Sequence, residues 1–167
     1  KLTPEERKEQ KKYTRLADCF TPLAKGMNSE YANQNSYGCI QVHGGSGFML
    51  EYACQRLYRD ARITSIYEGT TQLQTVAAIR YVTNGTYMNV IREYEEIEVP
   101  EAYKSIKARI HAMADACEAA VNKVKEAGNQ DYHDLVARNL YEMTADVVMS
   151  LLLLRDTVEA PELFEKS

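Results

Sequence analysis

One carboxylate stands out for its setting. Glu68 precedes Gly69 in the run Ile66-Tyr67-Glu68-Gly69-Thr70-Thr71-Gln72-Leu73-Gln74, at the mouth of a helix that Thr70 or Thr71 would cap. Thr71 and Gln74 have capping-box spacing. On the residues alone, Glu68 is either an anion stabilising a helix N-terminus by about 0.3–1 kcal/mol or a carboxylate that the glycine displays toward a ligand. A second stretch is Gln41-Val42-His43-Gly44-Gly45-Ser46-Gly47-Phe48. Glycines let a backbone approach a phosphate closely, and they also end helices. No Gly-Lys-Ser/Thr follows and no strand precedes, so the run is neither a nucleotide-binding P-loop nor a dinucleotide fingerprint. His43 has no second His or Cys at ligand spacing and is expected to make a local hydrogen bond, not to bind a metal. In Arg56-Leu57-Tyr58-Arg59-Asp60-Ala61-Arg62, Arg59 and Asp60 are adjacent. On a helix they point apart, so each is expected to pair elsewhere.

Helices must position these groups. Leu23 to Gln41, Glu51 to Ala61, Thr71 to Val82 and Tyr87 to Ile97 read as helices, and no sustained alternation predicts strands. Pro4 and Pro22 are candidate helix starts, with Thr3 and Thr21 as their caps. Six of the eight glycines lie between Gly26 and Gly69, so close approaches and turns belong to the first part. Beyond Pro100 the pattern is plain helix. Ile106, Ile110, Met113, Cys117, Val121 and Val124 form one apolar stripe. Val136, Leu140, Met143, Val147, Leu151, Leu154 and Val158 form another. Gly128-Asn129 reads as a helix C-cap and turn, which predicts an antiparallel hairpin from about Glu101 to Val158. Leu151 to Leu154 would cover every side of a helix, so at least one leucine needs a neighbour besides the partner helix. The predicted fold is all-α, an up-down helical bundle followed by a two-helix hairpin, with domains at 1–99 and 100–167.

Composition narrows the function. Twenty Lys and Arg against 24 Asp and Glu give a net charge of −4, which provides no electrostatic drive toward nucleic acid or anionic lipid. Cys19, Cys39, Cys54 and Cys117 form no C-x-x-C, so buried, reduced thiols are expected, with no metal. No span approaches the ~20 apolar residues of a membrane helix, and no targeting peptide opens the chain; a cytoplasmic location is expected. The start at Lys1, with eight charged residues among the first twelve, suggests a piece of something longer.

Together, and in this order and spacing, the three stretches resemble the carboxy-terminal helical domain of acyl-CoA dehydrogenases over roughly residues 22–82. The tail after Pro100 is similar to the extra C-terminal domain of a larger subclass. The resemblance implies an oxidoreductase that removes hydrogens from the α and β carbons of an acyl-CoA thioester. By the family pattern Glu68 is the base that takes the α-proton, and the β-hydrogen leaves as hydride to FAD. A base for so weak an acid must stand at contact distance and gains from a desolvated pocket. The Glu68 backbone N–H would help stabilise the enolate-like charge. Gly69 would lie against substrate, and Thr70 and Gln72 would approach FAD. Gln41, Gly44 and Gly45 would contact FAD held by a neighbouring subunit, implying a dimer or tetramer. The family also implies an electron-transferring flavoprotein as the next acceptor. The amino-terminal helical and middle β-domains of the family are not in this sequence, so the chain alone is expected to be inactive. The alternative is a non-catalytic helical interaction module that keeps the family scaffold.

Overall fold

The computed structural model describes residues 2–163, and every regular element among them is helical. The helices are α1 (Pro4–His43), α2 (Gly45–Phe48), α3 (Ala53–Thr64), α4 (Thr71–Thr83), α5 (Thr86–Glu95), α6 (Lys104–Ala127) and α7 (Gln130–Glu159). Short 3₁₀ turns occupy Glu101–Tyr103 and Pro161–Leu163. Contacts divide the chain into two compact units, residues 1–78 and 79–167, with α4 running across the division. The boundary expected at 99/100 falls inside the second unit.

In the first unit α1 is the organiser, and it is longer than its sequence suggests. Thr3 caps it with a full capping box, its side chain accepting from the Glu6 N–H while Glu6 answers to the Thr3 N–H. Pro22 does not start a helix but lies buried inside α1. A proline there removes one backbone bond, at a cost of about 3 kcal/mol. The helix continues because Cys19, Leu23 and Met27, on one helical face around it, are buried. Thr21 is no cap; its hydroxyl donates to the Ala17 carbonyl at 2.8 Å. The α1 helix packs against α3. Asn33 Nδ2 donates both to Ser29 O (2.7 Å) and to Ala61 O (3.2 Å), and the Tyr37 and Tyr58 rings stand 6.3 Å apart.

The second unit is a helical hairpin completed by a third helix. Gly128, at φ 58°, ends α6. Asn129 then caps α7, its side chain accepting from the Tyr132 N–H at 3.0 Å. Both stripes bury against each other through Ile110, Cys117, Val121 and Val124 on α6 and Leu140, Val147, Leu151 and Leu154 on α7. The Cys117 thiol and Thr144 hydroxyl meet between them at 3.5 Å. The third surface is α5, which packs on both helices and buries Tyr87, Val90 and Ile91. Of the four leucines, Leu151 and Leu154 are buried while Leu153 is 57% exposed. Leu153 borders an apolar groove of about 370 Å³ shared with Ile106, Ile110 and Met113. Arg92 of α5 clasps α6, donating to Asp115 at 2.7 Å and Glu118 at 2.8 Å while also holding Glu95 of its own helix at 2.8 Å.

Two outcomes follow from this unit. Leu151→Asp places a charge in the three-helix core and is expected to cost about 3–5 kcal/mol, whereas Glu159→Lys, at the exposed end of α7, leaves the melting curve unchanged. Differential scanning calorimetry of the two variants checks this. The hydrogen bond from Arg92 holds the Asp115 carboxyl below its ordinary value of 3.8. A lowered folded-state pKa adds stability above the unfolded value and loses it as pH falls through the folded one. Stability should therefore drop on acidification below about pH 4, and Arg92→Met should flatten that slope in acid-unfolding curves followed by circular dichroism.

Candidate functional site

The turn between α3 and α4 is built from backbone that few residues adopt. Glu68 has φ 53° and is the positive-φ residue other than glycine among the described residues; Gly69 follows at φ 91°. A side chain in the left-handed region costs about 1–2 kcal/mol, so the surroundings must enforce it. They do so from α1. The Lys25 ammonium donates to Gly69 O and stands 5.8 Å over the Tyr67 ring. Ser29 Oγ donates to Thr64 O at 3.0 Å. The Thr71 hydroxyl donates to Glu30 Oε1 at 2.6 Å. One face of α1 thus grips the turn before, at and after Glu68.

The helix mouth differs in detail from the spacing argument. Thr70 is the cap, its hydroxyl oxygen accepting from the Leu73 N–H at 3.3 Å. Gln74 does not close a box with Thr71 but donates to the carbonyls of Glu68 (3.2 Å) and Gly69 (3.4 Å). A Cβ on Gly69 would stand 2.7 Å from Gln74 Nε2, an atom that a flexible side chain can move, so it is the positive φ that favours glycine there.

The Glu68 carboxylate is left uncommitted. It makes no hydrogen bond or ion pair among the described residues, and neither does its own N–H. The residue is exposed and borders a cleft of about 360 Å³ with Lys25, Asn28, Ser29 and Tyr67. The desolvated setting expected for a base is not supplied by the described residues. What they supply is aim: a rigid turn with a carboxylate and an unpaired donor at one residue.

The glycine run forms the passage from α1 to α3. Gly44, at φ 59°, caps α1 by donating to Gln41 O at 3.2 Å. A Cβ at Gly44 or Gly45 would meet nothing within 4 Å, whereas at Gly47 it would stand 2.6 Å from Ile40 O. Gly47 therefore lets α2 lie on α1, while Gly44 and Gly45 face open space. Gln41, Thr70 and Gln72 are exposed. These are neutral groups and bare backbone, able to offer hydrogen bonds without charge. Arg59 and Asp60 are exposed and have no partner among the described residues, contrary to the pairing expected of them.

The sequence reading missed one cluster. His43 does have partners at ligand spacing: Cys39 lies one helical turn before it, and the fold brings in Cys54 from the start of α3. His43 also makes its expected local bond, Nδ1 to Cys39 O at 2.9 Å. All four cysteines are free thiols; Cys39 is half-buried and the others are buried.

Comparison with known proteins agrees with this anatomy. Residues 7–82 match the family model described as acyl-CoA dehydrogenase, C-terminal domain, and residues 83–167 match acyl-CoA dehydrogenase C terminal. The chain belongs to the acyl-CoA dehydrogenase family. It is 39% identical over 64 residues to an acyl-CoA dehydrogenase of Bacillus subtilis, covering 38% of this chain and 17% of that one. It is 39% identical over 70 residues to the mitochondrial long-chain specific acyl-CoA dehydrogenase of Sus scrofa, covering 42% of this chain and 16% of that one. It is 46% identical over 52 residues to the caffeyl-CoA reductase-Etf complex subunit CarC of Acetobacterium woodii, covering 31% of this chain and 14% of that one. The chain thus spans under a fifth of the length of these relatives. No solved structure matches it significantly. No helix among the described residues is long and apolar enough to cross a membrane.

The strained turn makes a separable prediction. Glu68→Gly relieves the left-handed backbone and is expected to raise stability by about 0.5–1 kcal/mol, measurable as a higher midpoint in urea unfolding. An unchanged or lower midpoint would mean that the turn is not strained.

Proposed function

We propose that this chain is the C-terminal part of an FAD-dependent acyl-CoA dehydrogenase in which Glu68 is the base that removes the α-proton of an acyl-CoA thioester. The observation that carries this reading is the Glu68 carboxylate, free of partners among the described residues on a backbone held by α1. A base that must reach a weakly acidic C–H gains from being aimed rather than neutralised. Gly69 beside it leaves room for the thioester. The unpaired Glu68 N–H is a donor suited to the thioester oxygen as negative charge develops there.

The reading assigns Thr70 and Gln72 to FAD of the same active site, and Gln41, Gly44 and Gly45 to FAD of a neighbouring subunit. Thr70 can serve because its hydroxyl oxygen accepts from Leu73 and its hydrogen remains to donate outward. Bound there, FAD supplies the two-electron acceptor for the β-hydrogen. Large apolar side chains beside the glycine run support a covering protein surface: Val42 is 87%, Phe48 80% and Leu50 83% exposed. A homo-oligomer and the remainder of the enzyme are the proposed cover, and they would supply the dry environment that this chain does not. An electron-transferring flavoprotein is the proposed next acceptor. The domain boundary of the parent is proposed near residue 99, and the location as cytoplasmic.

Glu68→Gln in the longer enzyme tests this. The amide keeps shape and hydrogen bonding but takes no proton at neutral pH. Flavin and ligand should still bind, while the rate of flavin reduction in stopped flow falls by about 10²–10⁴. The 167-residue chain alone, as control, should hold no flavin and show no turnover. Near wild-type reduction by Glu68→Gln would remove Glu68 from the mechanism.

A further inference from the structure

We infer that Cys39, His43 and Cys54 form a binding site for a thiophilic divalent cation of the zinc class. Their ligand atoms all lie within 4.8 Å of one another. The two sulfurs are 3.5 Å apart, and Cys39 Sγ is 3.9 Å from His43 Nδ1. Around a tetrahedral zinc, bonds of about 2.3 Å to sulfur and 2.0 Å to nitrogen place two sulfurs about 3.8 Å apart and sulfur and nitrogen about 3.5 Å apart. Two of the three edges therefore stand near those of that tetrahedron, and ligation through Nδ1 would exchange its hydrogen bond to Cys39 O for the metal.

The donor set selects the ion. Two thiolates and an imidazole favour zinc and its soft neighbours and disfavour magnesium or calcium, which take oxygen ligands. Position contributes too. Cys39 and His43 share one face of the last turns of α1 because they are four residues apart, and Cys54 lies in the first turn of α3, where the helix dipole favours a thiolate. Binding forms two sulfur–metal bonds and one nitrogen–metal bond and releases the two thiol protons to solvent. His43 is exposed, so the fourth position opens to water. The bound ion would pin the end of α1 to the start of α3 across Gly44 and Gly45. None of this depends on the catalytic reading.

A disulfide between Cys39 and Cys54 is the competing use of the same sulfurs, but it gives His43 no part. The test is titration of the reduced 167-residue chain with Co²⁺ and then Zn²⁺, with Mg²⁺ as control. Expected are one Co²⁺ per chain with tetrahedral d–d bands and thiolate charge transfer, displacement by Zn²⁺, and a higher melting temperature with Zn²⁺ but not Mg²⁺. His43→Gln, at an exposed position that keeps the fold, and Cys39→Ser should each weaken affinity at least tenfold, with unchanged circular dichroism. Absence of charge-transfer bands, wild-type affinity in either variant, or a reduced protein that forms the Cys39–Cys54 disulfide in air and takes up no metal beforehand would each overturn the assignment.

Discussion

The grip of α1 on the turn between α3 and α4 is the constraint on which the candidate site depends. Lys25, Ser29 and Glu30 lie within two turns of α1 and hold Gly69, Thr64 and Thr71 respectively. Each contact is a single hydrogen bond, modest in net stability. Together they over-determine a six-residue turn and can hold Glu68 in a conformation it would leave if free.

The same economy appears at the other end of α1. Gly47 lets α2 lie against Ile40 where any Cβ would collide, while Gly44 and Gly45 meet nothing. One short run therefore contains glycines of two kinds: one required by packing, the others leaving bare backbone toward solvent. The large apolar side chains around them have no cover among the described residues, and the chain covers under a fifth of its relatives' length.

The second unit obeys a different constraint, the burial of two apolar stripes that one hairpin cannot hide. The α5 helix resolves it by packing on both α6 and α7, and Arg92 adds a polar clasp at the rim. The clasp is half-exposed and specifies how α5 lies on α6 more than it adds stability. Burial of Tyr87, Ile91, Tyr141 and Leu151 supplies the stability.

The all-α class, the hairpin and its Gly128-Asn129 turn were legible in the sequence, because helical periodicity and C-cap glycines are local signals that tertiary contacts seldom reverse. The family motifs were legible as well, since Glu68, Gly69 and the glycine run are contiguous. Tertiary structure decided what depends on distant partners. Pro22 sits within a helix because burial on either side outweighs a lost backbone bond. Thr70 rather than Thr71 caps α4 because the helix already begins at Thr71, whose side chain turns to Glu30 on α1. Leu153 rather than Leu151 faces the groove because α5 covers only part of the α7 circumference. Glu68 has a positive φ although its type favours none, and Cys54 reaches Cys39 and His43 across fifteen residues of chain only once α3 has folded back on α1. Periodicity reports which face of a helix is apolar; only packing determines what that face meets.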